Sequence, residues 1–141
     1  MNKKNLIMLT TMVRLSRIIR SCKDARRNLD SVIDQTNYFI VAGENSNLIQ
    51  VQAKASISNT LFVEQYLRSS VSKICASLDG FDPGRMDPVD YISSSDIKDG
   101  VVDLCRGKKV VATIFLPSGE IIPARPEQEI AGEDKSSAEK S

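Results

Sequence analysis

The chain has no tryptophan and no histidine among its 141 residues, and aromatic side chains make up only 5% of it. Without histidine, the usual general base and the imidazole ligand of most transition-metal sites are both missing. Three cysteines, Cys22, Cys75 and Cys105, stand far apart. An odd number without close pairs excludes a disulfide framework and gives no paired metal spacing, so each is read as a small core hydrophobe. No apolar run approaches the roughly 18 residues of a membrane span. No Gly-rich phosphate loop, Ser-centred elbow or dinucleotide fingerprint is present. Asp79 to Asp90 has a glycine sixth and an acid twelfth, as a calcium loop does, but Phe81 and Pro83 occupy two of its oxygen-ligand positions. No catalytic residue, metal ligand, cofactor or small-molecule substrate is therefore assigned, and the expectation is a protein that is not an enzyme.

The chain does have enough apolar mass for a core, 41% hydrophobic and mostly Ile, Leu, Val and Ala, a mixture that suits helix packing. In the first forty residues apolar side chains recur in steps of four and three: Met8, Met12, Leu15, Ile19, Cys22, Leu29, Ile33 and Ile40, with Arg26 and Thr36 in the same row. A seam of this period is stable only when another helix covers it. The spacing predicts a helix from about Leu6 to Ala42, stopped by Gly43. Its wide apolar face also takes in Ile18, Ala25, Val32 and Phe39.

Gly43 to Asn47 is a short polar connection, and Leu48 to Leu78 contains neither proline nor glycine. A second helix of about thirty residues must then fold back antiparallel on the first. Ile49, Ala53, Ile57, Leu61, Leu67, Val71, Ile74 and Leu78 share its face, with Glu64 in their midst. Arg26 and Glu64 interrupt their stripes with opposite charge at equal distance from the Asn45 turn, which predicts a facing pair that sets the hairpin's register. Glu64 would be the first candidate for acid–base work, but a partner arginine points to structure instead.

Asp79 to Pro88 holds two Asp-Pro pairs and two glycines and reads as a linker. Beyond it, the serines at 93 to 95 can cap a short helix from about Asp96 to Cys105, which would place Asp96, Asp99 and Asp103 on one ridge. Lys109 to Leu116 is rich in β-branched residues, Pro117-Ser118-Gly119 turns the chain, and Glu120 to Ala124 returns, a β-hairpin. From Glu127 the chain is Ser, Glu, Lys and Asp with little to bury, a disordered tail. The expected fold is α+β, predominantly α, with a helical hairpin over 1–80, a linker, small helix and β-hairpin over 81–126, and an acidic tail over 127–141.

Net charge is +1 but unevenly spread: eight basic residues and one acid precede Asn28, whereas five acids and two lysines follow Pro126. Arg17, Arg20, Lys23 and Arg27 gather on the polar face of the first helix and could follow a polyanion. Asp24 and Asp30 lie within helical reach of them, and no aromatic residues are interleaved for base stacking. A solvated face is the favoured reading and nucleic acid the alternative; an anionic membrane surface is weaker still. The start, Lys3-Lys4 followed by Leu6 to Val13, imitates a secretory signal, yet Arg14, Arg17 and Arg20 follow with no small-residue cleavage site while the seam continues. A soluble protein of the reducing cytoplasm is expected.

The second helix carries a further apolar strip, Leu48, Val51, Ala55, Phe62 and Tyr66, away from Glu64. Two helices can satisfy only one face of each other, and contiguous exposed apolar residues mark interaction surfaces. The expected function is a structural or adaptor subunit that packs against itself or a larger protein.

Overall fold

The computed structural model describes residues 1–38, 45–93 and 100–124. Helix α1 spans Lys3–Tyr38 and α2 spans Asn45–Ala76; strands β1 (Tyr91–Ile92), β2 (Val101–Arg106), β3 (Lys109–Phe115) and β4 (Glu120–Pro123) follow. The class is α+β, predominantly α. The chain divides into two compact units: one holds Met1–Ser16 and everything from Arg68 onward, the other Arg17–Leu67.

In the first unit α1 begins three residues earlier than expected because Asn2 caps it. Its side-chain oxygen accepts from the Asn5 backbone N–H at 2.7 Å, satisfying one of the donors a helix start leaves open. The strands form an antiparallel meander in chain order. Asp103 faces Thr113 in the β2–β3 register and accepts its hydroxyl at 3.2 Å. The core takes Leu9, Met12 and Val13 from α1, Val71 and Cys75 from α2, and Val102, Leu104, Val110, Ala112 and Ile114 from the sheet, all buried.

The short helix expected over Asp96 to Cys105 is not formed where the structure describes it, since Val101–Arg106 is β2. Val102 and Leu104 are buried on either side of the half-covered Asp103, the period-2 alternation of a strand, which a register shift at Leu104/Cys105 interrupts so that Cys105 is buried as well, and Gly107 at φ +59° opens a two-residue turn into β3. Asp103 therefore stands on a strand and not on a helical ridge; Asp96 and Asp99 lie outside the described residues, as do the Gly43 stop and the acidic tail.

In the second unit the arms of α1 and α2 lie side by side and antiparallel. Gln50 donates to Thr36 Oγ1 at 3.0 Å and to Asn37 Oδ1 at 2.8 Å near the connection, while Arg26 meets Glu64 far from it. On α1 the covered positions are Ile19, Arg20, Cys22, Ala25, Arg26, Leu29, Ile33 and Thr36. Ile18 and Val32, assigned to this face from sequence, are exposed. On α2 the row runs Ala53, Ile57, Thr60, Glu64 and Leu67. Leu61 falls outside it: keeping the four-three step brings Thr60 inward, and its hydroxyl is satisfied by the Ser56 carbonyl at 2.7 Å.

Candidate interaction surface

Among the described residues of the hairpin unit Glu64 is the one charged residue that is buried, 6% exposed, and its Oε1 accepts from Arg26 Nη2 at 2.5 Å. The Glu64 side chain is 7% exposed and that of Arg26 25%, so the carboxylate is enclosed while the guanidinium reaches the edge. Arg26 Nε is buried with no hydrogen-bond partner among the described residues. A buried pair with an unmet donor gains little net stability, because desolvation offsets the Coulomb attraction; removing one partner is what costs. The two residues singled out from sequence are thus brought together, on the inward face.

The opposite face of α2 differs in kind. Leu48, Val51, Phe62 and Tyr66 are 57, 61, 73 and 67% exposed, and Ala55 between them is exposed too. At about 100° per residue these five lie within a sector about 60° wide, half a turn from the Ala53–Glu64 row. Between Asn45 and Leu67 the only charged residues are Lys54 and Glu64, and Glu64 points inward. The neighbouring arm of α1, Arg17 to Tyr38, carries eight. Water thus meets a charged face on one arm and an almost uncharged one on the other.

Next to Leu48 the strip opens into a largely apolar groove of about 390 Å³ between the arms, lined by Leu29, Val32, Leu48, Ile49, Gln52, Ala53 and Ser56. Sequence reasoning missed the groove. The pattern puts Val32 on the apolar face beside the seam, and only its 38% exposure shows that it borders an opening.

The basic cluster is more dilute than its sequence suggests. Arg17, Lys23 and Arg27 are exposed and Arg20 half-buried, but Arg27 Nη1 lies 3.3 Å from Asp24 Oδ1, so a carboxylate sits within the patch. Three further polar contacts, unforeseen from sequence, tie distant segments of the first unit. Arg68 pairs with Asp90 at 3.1 Å, with its guanidinium 5.5 Å from the centre of the Tyr91 ring. Asp90 also accepts the Gly107 N–H at 3.0 Å. Buried Asn5 holds the backbone of Asp79 from both sides, donating to its carbonyl at 3.2 Å and accepting its N–H at 3.1 Å. No short motif announces such contacts, whose partners stand 22, 17 and 74 positions apart.

Cys75 and Cys105 are buried and unpaired, and Cys22 is half-buried and unpaired. Burial pushes the Cys75 thiol up to about 12 and raises that of Cys105. Among the described residues no three His, Cys, Asp or Glu side chains converge to hold a metal ion, and no helix is long and apolar enough to cross a membrane. No protein-family model, no curated protein and no solved structure matches the chain.

Proposed function

We propose that this chain is a non-enzymatic structural or adaptor subunit that assembles through its helical hairpin. The observation that carries the reading is the outward face of α2, where five apolar residues are exposed and no charge interrupts them. Leaving such a strip wet costs free energy that covering it recovers, about 25 cal/mol per Å² of apolar surface. The buried Arg26–Glu64 pair fits a hairpin whose register must be held so that this strip stays continuous. Unpaired thiols, two of them buried, suit a reducing compartment, which we take to be the cytoplasm.

Sedimentation of the tagged chain in extracts of the cells that express it tests the reading. The wild type runs in a species larger than a single chain, and Val51→Glu/Phe62→Glu runs alone while keeping its circular dichroism and melting temperature. A wild-type chain that sediments as a single copy at all expression levels refutes the reading.

A further inference from the structure

We propose that the occupant of the α2 strip is a second copy of this chain, seated antiparallel about a two-fold axis that crosses the strip at the height of position 57. The proposal deepens the reading above and rests on it. Three features of the strip single out this partner.

The first is its symmetry. Leu48 and Val51 stand at one end, Phe62 and Tyr66 at the other, and the small or polar Ala55, Ser58 and Asn59 lie between. Turned end for end, the row superposes on itself, so that Leu48 opposes Tyr66 and Val51 opposes Phe62. A two-fold interface demands that kind of self-complementarity, and small central residues let two helices approach closely.

The second is the placement of groove and protrusions. The groove runs from Leu48 to Ser56 on α2, and the two exposed aromatic rings stand at positions 62 and 66, on the other side of the midpoint. Antiparallel pairing brings the rings of each copy beside the groove of the other, making two equivalent contacts at once. Parallel pairing sets rings against rings and leaves both grooves empty.

The third is charge and area. A lipid surface prefers helices with basic flanks, and the only cation on this arm of α2 is Lys54, about 100° round from Ala55. The five exposed strip residues leave about 500 Å² uncovered on each chain, so two copies can remove up to about 1,000 Å², the lower bound for a specific interface. The groove contacts add to this.

Sedimentation velocity and light scattering on the purified full chain test the inference. The wild type is expected at twice the chain mass, with Phe62→Glu raising the dimer dissociation constant about 1,000-fold, because the anchor is lost twice. Phe62 is 73% exposed, so the variant folds. In a Cys22→Ser background, Ser58→Cys lies near the axis and is joined to its mate by a short bis-maleimide. Leu48→Cys is not joined, since the two copies of that position lie about 27 Å apart along the helices. A wild-type monomer at about 100 µM, a dimer indifferent to Phe62→Glu, or linkage at Leu48→Cys instead of Ser58→Cys overturns the proposal. A purified monomer that is nonetheless part of a strip-dependent larger species in extracts defeats the second copy as partner and leaves the adaptor reading standing; a chain that is single in both defeats the two together.

Discussion

Replacing Arg26 by methionine keeps an unbranched side chain in the seam but leaves Glu64, 7% exposed at its side chain, without its guanidinium. Removing one partner of a buried ion pair costs about 3–5 kcal/mol. Glu64→Leu is milder. The Arg26 side chain is already 25% exposed and can extend its head to water along its aliphatic stem, so about 1–3 kcal/mol is lost. The double variant Arg26→Met/Glu64→Leu removes both charges and the unmet Arg26 Nε together, and its stability returns to within about 1 kcal/mol of wild type. The coupling between the positions is then at least about 3 kcal/mol. Urea titration followed by far-UV circular dichroism reads all four proteins, since the two long helices dominate that signal; in thermal melts Arg26→Met should fall by about 10–15 °C. Single losses that simply add, with coupling below about 0.5 kcal/mol, show that the pair is a surface contact and not the determinant of register.

Two further outcomes concern Asp79 and the three cysteines. Asp79 has its carboxyl held below the ordinary 3.8 by the Asn2 side-chain hydrogen bond first and by the Lys4 charge second. A lowered folded value means that the contribution is complete above 3.8 and disappears as pH falls through the folded value, so the stability difference between wild type and Asp79→Asn narrows over that acid window; a difference that grows on acidification contradicts the assignment. Thiol labelling with a disulfide reagent should modify Cys22 first, while Cys75 and Cys105 react only on unfolding, being buried and, for Cys75, raised to about 12; fast labelling of Cys75 in the native protein refutes its place in the core.

Much of this architecture is local and was legible in the residues. Steps of four and three without proline or glycine gave two long helices, because an amphipathic stripe needs only its own neighbours to be recognised. Val110, Val111 and Thr113 before Pro117-Ser118-Gly119 announced β3 and β4 for the same reason. The facing of Arg26 and Glu64 followed from equal distance to the connection.

What the order of residues left open depended on partners far along the chain. Val101–Arg106 satisfies helical and strand periods equally well, and its pairing with β3 decided for a strand. The two residues of β1 are too few to signal themselves; the Ser16 hydroxyl accepting the Ile92 N–H at 2.9 Å helps to fix them from 76 positions away. Thr60 and Leu61 exchange inside for outside through a rotation of about 100°, which a pattern of apolar letters cannot resolve and helix packing does. The groove beside Leu48 belongs to neither helix alone. Periodicity is a property of a segment and survives in the sequence, whereas burial, pairing and cavities are properties of two segments brought together and exist only once the chain has folded.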